Sequence, residues 1–325
     1  MVTCKDLARI ANVSTATVTR AFNPNSSIKE DTRQKILQIA KDYSYTPNLA
    51  ARSLKQQSTK IVGFVLCDAS NPYYVKVAQY IERRLEHHGF RSLLTFSSRD
   101  SVSISRSLEV MMASRVNGVI FPPEDDATRG LVEAMQKQGT CFMQLYRSPF
   151  PHIDHVLNNN IYGAYIGTRH LLECGHRRIL YVSTDTDKRD VGFWQAVNEQ
   201  GVDPSEVCAL SFGKNDEVNR ARLQQTVDRM NPTAIFSVAD TPSRIVFHFL
   251  WYRGYRIPED ISLLVNDSLD WCEMLNISVI AHPYEELANA ATDMLIDRIQ
   301  RTASSDTQEK IVTPYLISRQ SVIRL

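Results

Sequence analysis

Residues 3–23, TCKDLARIANVSTATVTRAFN, constrain the fold more than any other stretch, because two short helical patterns are parted by only a two-residue break. Thr3 is placed to cap a first helix, with Asp6 three residues on, where an acid suits the positive helix start. Leu7, Ala8 and Ala11 fall on one face at helical spacing. Asn12 and Val13 make the turn, with Val13 expected as its buried plug. Ser14 then caps a second helix, its hydroxyl accepting an amide hydrogen left free in the first turn. Val18 and Ala21 face inward on that helix, which leaves Thr15, Ala16, Thr17, Thr19 and Arg20 outside. Small and hydroxyl residues at the start of a helix let its backbone approach base edges in a major groove. An arginine one turn later can take guanine by two hydrogen bonds. The competing reading of this stretch alone is an ordinary amphipathic helix pair.

The following residues favour the helix-turn-helix reading. Residues 28–43, IKEDTRQKILQIAKDY, carry Ile36, Ile39, Ala40 and Tyr43 at i, i+3, i+4, i+7 spacing, a third helix closing a small head. In 45–60, YTPNLAARSLKQQSTK, Pro47 and Asn48 break the chain and a short Ala/Leu helix follows. Residues 1–60 hold ten Lys/Arg against four Asp/Glu, a net of +6 in a chain whose total is +1, so the remainder carries −5. A basic head on an acidic body is the distribution expected where only one end meets phosphate.

A length of 325 residues argues for more than one domain. The six cysteines (4, 67, 141, 174, 208, 272) form no CxxC pair and read as reduced, mostly buried thiols, not a disulfide or zinc framework. No apolar stretch follows a basic start, and runs such as Ile61–Cys67 stop far short of a membrane span, so a soluble cytoplasmic protein with no membrane partner is expected.

From residue 61 on, short apolar runs alternate with helix-length amphipathic stretches. Strands are expected at Ile61–Cys67, Ser92–Phe96, Gly118–Phe121, Cys141–Leu145, Ile179–Ser183, Val207–Phe212, Ala234–Val238 and Ser262–Val265. Helices are expected at Val75–His88, Ser103–Ser114, Leu131–Gln138, Tyr162–Cys174, Phe193–Gln200, Glu217–Met230 and Arg244–Arg253. Such alternation implies parallel sheets flanked by helices, and the strands are too many for one ordinary sheet, so two α/β lobes are expected. Ligands in such folds bind at the carboxyl ends of the strands, here in the cleft between lobes. Thr302–Glu309 reads as a surface loop between the last helix and a final strand.

The chain resembles transcriptional regulators of the LacI/GalR family over essentially its whole length. The signature is Asp6-Leu7-Ala8, Val13-Ser14, Thr17-Val18 and Arg20, then Tyr45-x-Pro47-Asn48 and Ala51-Arg52-Ser53-Leu54. Further matches are Asn71-Pro72-Tyr73-Tyr74, Gly163-Ala164-Tyr165, Gly175-His176-Arg177-Arg178-Ile179, Arg189-x-x-Gly192-Phe193, Pro258-Glu259-Asp260-Ile261-Ser262 and Arg319-Gln320-Ser321. The resemblance implies an N-terminal all-α helix-turn-helix head (1–46), a hinge helix and linker (47–60) and a two-lobed α/β core akin to periplasmic binding proteins (61–325). It implies that Thr15, Ala16 and Arg20 read base edges and that Ser14 and Thr17 position the helix on phosphate. Asn48, Ala51 and Leu54 match a hinge helix entering the minor groove, with Leu54 as an apolar wedge. Two hinge helices meet there, so a homodimer on a near-palindromic double-stranded operator follows. The chain ends at Leu325 without a heptad extension, and a dimer is the expected state.

For the effector, the resemblance implies packing on Tyr73 and Tyr74 and a forked pair of hydrogen bonds from Arg189. It also implies acceptors at Asp240 and Asp267, stacking on Phe212, and a first-lobe wall from Tyr146 or Arg147. Three departures bear on the pocket. Asn159-Asn160 replaces Asp-Asn, Ala239-Asp240 replaces Asn-Asp, and Val265-Asn266-Asp267-Ser268 replaces G-F-D-D. An amide both donates and accepts, so Asn159 recognises a different polar pattern from a carboxylate. A small hydroxylated effector (sugar, sugar phosphate or nucleoside) is expected, with no cofactor and no metal. A drifted pocket that binds nothing is the alternative. Release of the operator by effector and tightening on it are both compatible with the sequence, as are repression and activation.

A solute-binding protein of periplasmic type shares the lobes but needs a signal peptide and no basic head. An enzyme is not expected: G-x-G-x-x-G, H-E-x-x-H and G-K-[ST] are all absent from the sequence. His176, placed before a strand with no catalytic partner nearby in sequence, reads as a structural hydrogen-bonding residue.

Overall fold

The structure is a computed structural model that describes residues 2–22, 26–45, 58–98, 100–184 and 188–325. The chain divides into two compact units, residues 1–60 and 61–325. Among the described residues no helix is long and apolar enough to cross a membrane.

The head consists of α1 (Cys4–Ala11), α2 (Thr15–Ala21) and α3 (Glu30–Asp42). Thr3 and Asp6 form a reciprocal capping box. The Thr3 hydroxyl accepts from the Asp6 amide at 3.3 Å and the Asp6 carboxylate accepts from the Thr3 amide at 3.0 Å. Asn12 ends α1 in the left-handed region at φ 57°, which an Asn tolerates better than most residues and which turns the chain sharply into α2. Leu7, Ala8, Ala11, Val18, Ala21, Ile36 and Ala40 form the core, small residues that let three short helices approach closely. Two details differ from the sequence reading. Val13 is half-buried, not fully sealed, because it sits at the rim of the turn. Tyr43 is 50% exposed, since it falls just past the end of α3; Tyr45 packs instead, 5.8 Å from the Phe22 ring.

The second unit contains two six-stranded sheets. In chain order its elements are β1 (Ile61–Leu66), α4 (Pro72–His87), β2 (Arg91–Phe96), α5 (Ser101–Ala113), β3 (Gly118–Phe121), α6 (Arg129–Lys137), β4 (Cys141–Leu145) and β5 (His155–Asn158). Then come α7 (Asn160–Glu173), β6 (Ile179–Thr184), α8 (Asp190–Glu199), β7 (Cys208–Phe212), α9 (Asp216–Met230), β8 (Ala234–Ser237) and α10 (Asp240–Tyr252). The chain closes with β9 (Ser262–Asn266), α11 (Asp270–Met274), β10 (Ser278–Ala281), α12 (Tyr284–Gln300), β11 (Glu309–Val312) and β12 (Tyr315–Ile317). The first sheet runs β11-β5-β4-β3-β1-β2 and is wholly parallel. The second runs β12-β10-β9-β8-β6-β7, parallel except for the edge strand β12, which pairs antiparallel with β10. That edge is a correction to the all-parallel expectation.

Strand β1 shows why these segments read as unbroken apolar runs. Val62, Phe64 and Leu66 pack toward α4 and α12, while Val65 packs toward Ile104, Leu108 and Met111 of α5. A parallel strand buried on both faces has no polar face to alternate with. The chain crosses between lobes at β5 to α7, β10 to α12 and β11 to β12, so neither lobe is continuous in sequence. Asp154, buried at the base of the first lobe, takes Arg298 in a two-pronged pair at 2.6 and 2.8 Å and accepts from the Gln308 amide at 2.8 Å. It thereby pins the loop between α12 and β11.

His176 is fully buried, with Nδ1 3.0 Å from the Thr233 hydroxyl and Nε2 3.0 Å from the Ile323 carbonyl. It ties the C-terminal segment to the second lobe. All six cysteines are free thiols; Cys67, Cys174 and Cys272 are buried and Cys4, Cys141 and Cys208 half-buried.

Candidate functional site

Helix α2 presents the first candidate surface. Ser14 accepts from the Thr17 amide at 3.1 Å, and its hydroxyl also lies 2.9 Å from that of Thr17. Ser14, Thr15, Ala16 and Arg20 are exposed and Thr17 is half-buried, so the outer face is small and polar with one guanidinium in the last turn. Thr19 turns its hydroxyl back to the Thr15 carbonyl at 2.9 Å, which removes it from that face. The end of α2 is braced by Ser26, which donates to the Arg20 carbonyl at 2.5 Å, and Arg33 donates to the Ser26 carbonyl at 3.0 Å. Asn48, Ala51 and Leu54 lie outside the described residues.

The second candidate is a cavity of about 470 Å³ in the α/β unit, within the range of small-molecule sites. Its lining comes from the carboxyl ends of parallel strands in both sheets. Asp68, Asn71, Tyr73 and Tyr74 follow β1; Tyr146 and Arg147 follow β4; Asn158 ends β5. From the other lobe come Thr184 at the end of β6 with Lys188 and Arg189 after it, Asp240 and Thr241 after β8, Asp267 after β9 and His282 after β10. Tyr146 and Asp267 both hold positive φ, 71° and 72°, in the left-handed region. Non-glycine residues occupy it at a cost, and such strain concentrates at ligand sites.

The aromatic wall is built on Tyr73. Its ring meets Tyr74 at 5.1 Å, Tyr284 at 5.4 Å and Tyr146 at 5.7 Å, and its hydroxyl accepts from Asn158 Nδ2 at 2.5 Å. Burial pushes the Tyr73 and Tyr146 phenols well above the usual range, so both stay neutral hydrogen-bonding groups. The Tyr146 hydroxyl and Asn158 Oδ1 are buried with no partner among the described residues.

The polar wall is charged. Arg189 donates to the Val238 carbonyl at 2.9 Å and to Asn160 Oδ1 at 3.1 Å, which fixes the guanidinium in place. Asp240 is 2% exposed, with Arg244 Nη2 at 3.1 Å, and burial raises its pKa above the ordinary carboxylate value. Asp267 accepts from Asn266 Nδ2 at 3.2 Å and lies 3.7 Å from His282 Nε2. Burial lowers the His282 pKa to about 3, so that approach joins a carboxylate and a neutral ring, not an ion pair. Arg147 is paired with Glu124. Among the described residues no cluster of His, Cys, Asp and Glu is arranged to hold a metal ion.

Tyr73, Tyr74, Tyr146, Arg147, Arg189, Asp240 and Asp267 therefore share one cavity. Two expectations are corrected. Phe212 packs into the second lobe's core with Leu210 and Leu223 and does not line the cavity, because its side chain falls on the buried face of β7. Asn159 is spent as the N-cap of α7, its Oδ1 accepting from the Tyr162 amide at 3.1 Å, and the flanking Asn158 and Asn160 line the cavity instead. Asn71 and Asn160, noted in sequence only as parts of family motifs, line the cavity, and Asp68, Asn158, Thr184, Lys188, Thr241 and His282 are lining residues that the sequence did not single out. Thr184 and Lys188 follow a strand that was legible, so the strand-end rule was a usable signal for them. His282 follows a four-residue strand that was not legible, and nothing in sequence marked it.

Comparison with known proteins places these two features in one context. Residues 3–48 match the model of bacterial regulatory proteins of the lacI family, and residues 168–322 match a periplasmic binding protein-like domain. The chain is 29% identical to the HTH-type transcriptional regulator DegA of Bacillus subtilis, covering 98% of this chain and 97% of the relative. It is 25% identical to the ribose operon repressor of Haemophilus influenzae over the full length of both. The fold superposes on the Lac repressor dimer bound to operator and the anti-inducer ONPF with a TM-score of 0.81, at 21% identity, covering 99% of each chain.

Proposed function

We propose that this chain, which belongs to the lacI family of bacterial regulatory proteins, is a sequence-specific DNA-binding repressor whose operator affinity is set by a small hydroxylated effector. One observation carries the reading: a capped helix with a small polar outer face and a strand-end cavity of about 470 Å³ occur in the same chain. The head residues Ser14, Thr15, Ala16, Thr17 and Arg20 supply the operator contacts in this reading, with Arg20 aimed at guanine. Asn48, Ala51 and Leu54 act as the hinge, Leu54 wedging a central base step.

The effector reading is supported by the cavity's chemistry. Tyrosine faces suit the apolar face of a sugar or base, while Arg189, Asp240 and Asn158 offer donors and acceptors at its edge. Of the solved structures of similar fold, a LacI family transcriptional regulator from Enterococcus faecium holds ribose and the transcriptional regulator CelR is in complex with cellobiose, which fits a hydroxylated class. Effector binding acts on DNA only if the ligand prefers one arrangement of the lobes over the other.

A homodimer completes the reading. Phe96 and Leu94 stand exposed beside Phe64 and Leu66 along an apolar groove on the first lobe, and Trp251, Tyr252 and Met274 are exposed on the second. Large apolar side chains exposed in this way support an interaction surface.

Operator selection from a random duplex pool, followed by titration of sugars, sugar phosphates and nucleosides against the selected sequence, tests the whole proposal. A near-palindrome whose affinity changes with one ligand class is expected. Absence of any sequence preference, with and without the ligand panel, overturns the regulator reading.

A further inference from the structure

His282 stands at the crossing from β10 into α12 and lines the cavity. Its ring meets Tyr73 of the first lobe edge-on at 6.1 Å and Asp267 of the second at 3.7 Å. The residue is 3% exposed, and its Nδ1 has no hydrogen-bond partner among the described residues. A buried polar nitrogen left unmatched is costly, and on a residue that lines a cavity a ligand atom is the group able to meet it.

The neighbours decide what that nitrogen carries. Asn266 Nδ2 lies 3.2 Å from Asp267 Oδ1 and 3.3 Å from His282 Nε2. A carboxylate oxygen only accepts, so the amide must turn its NH2 group toward Asp267. The same NH2 group meets His282 Nε2, which therefore presents its lone pair. In a neutral imidazole the proton then sits on Nδ1. Asn266 is also where the chain departs from the G-F-D-D pattern, carrying an amide in place of the phenylalanine. The amide and the oriented ring thus form one device, built from a crossing segment and a strand end.

We propose that His282 is a specificity-determining contact of the effector cavity, held by Asn266 as the Nδ1–H tautomer so that it donates to a lone pair on a hydroxyl oxygen of the ligand. The assignment rests on the effector reading above. It selects ligands that place an acceptor at that point and rejects deoxy analogues, which would leave the donor buried and unpaired.

Two measurements on the full chain test it. Long-range 15N–1H correlation spectra of ring-labelled protein should show His282 as the neutral Nδ1–H tautomer. Calorimetric titration of D-ribose, D-glucose, cellobiose, adenosine and guanosine, with the monodeoxy analogues of whichever binds, should be run on wild type and His282→Phe. Wild type should prefer the parent ligand over one deoxy analogue by about tenfold, and His282→Phe should lose that preference. An Nε2–H tautomer in the wild type overturns the proposal without any variant. Binding with the parent-to-deoxy ratio unchanged in His282→Phe overturns the contact alone. No heat from any of these ligands overturns the effector reading, and the contact with it.

Discussion

Arg20 and His282 are the single side chains on which the proposed DNA and effector contacts rest, and each makes a distinct prediction. Arg20 lies exposed in the last turn of α2 with its backbone carbonyl braced by Ser26, so its head group is presented from a fixed base. Arg20→Ala should weaken operator binding by roughly 1–3 kcal/mol while changing affinity for random DNA far less, as fluorescence anisotropy on both duplexes will show. His282 bears on acid stability. Its folded pKa, about 3, lies below the ordinary imidazole value of 6.5, so between those values the unfolded chain binds the extra proton. Stability from this residue is therefore intact above pH 6.5 and falls as pH drops toward 3, at up to about 1.4 kcal/mol per pH unit. Urea titrations across that window should show a shallower pH slope for His282→Gln; parallel curves would contradict the buried neutral ring. At this scale, sequence reached the right neighbourhood but not always the right side chain. Asn159 was an obvious polar candidate, yet the start of α7 takes its side chain as a cap and leaves Asn158 and Asn160 for the cavity. A one-residue offset of that kind is decided by where a helix begins, which composition does not reveal.

Elements meet most tightly where α8 crosses α7. A Cβ added at Gly192 would lie 1.9 Å from the Ile161 carbonyl oxygen, against backbone that cannot rotate aside. Gly192→Ala should force the helices apart and cost roughly 3 kcal/mol, read as a fall in the urea midpoint at unchanged slope. Arg189 begins this same crossing, so the variant should also loosen its hold on Asn160. The glycine of the R-x-x-G-F match is thus explained by close packing. Strands of five or six mostly apolar residues, such as Ile61–Leu66 and Cys141–Leu145, were legible because burial on both faces demands such runs. The strands His155–Asn158 and Ser278–Ala281 were not, and the one final strand expected after Glu309 is two, Glu309–Val312 and Tyr315–Ile317. They are short, two of them lie at sheet edges, and pairing with a neighbour, not local preference, makes them strands. Those four flank the three crossings between lobes, so the architecture of the cleft was the part least visible in advance.

At the scale of the whole molecule, two exposed apolar faces on the α/β unit call for cover. Phe96 is 60% exposed and Trp251 70% exposed. Phe96→Arg with Trp251→Arg should convert a dimer to a monomer in analytical ultracentrifugation and abolish high-affinity binding to a palindrome while sparing effector binding; a variant that sediments as wild type would rule these faces out as the interface. A small basic helix-turn-helix and a pair of doubly wound lobes followed from the sequence alone. Helical periodicity, caps and apolar runs are local properties, and they survive whatever the rest of the chain does. Only the tertiary structure decided which residues share the cavity, that Phe212 is core and that His282 belongs to the site. The cavity joins strand ends as far apart in sequence as Asp68 and His282, and their meeting depends on strand order and on the crossings, both fixed by packing between distant segments.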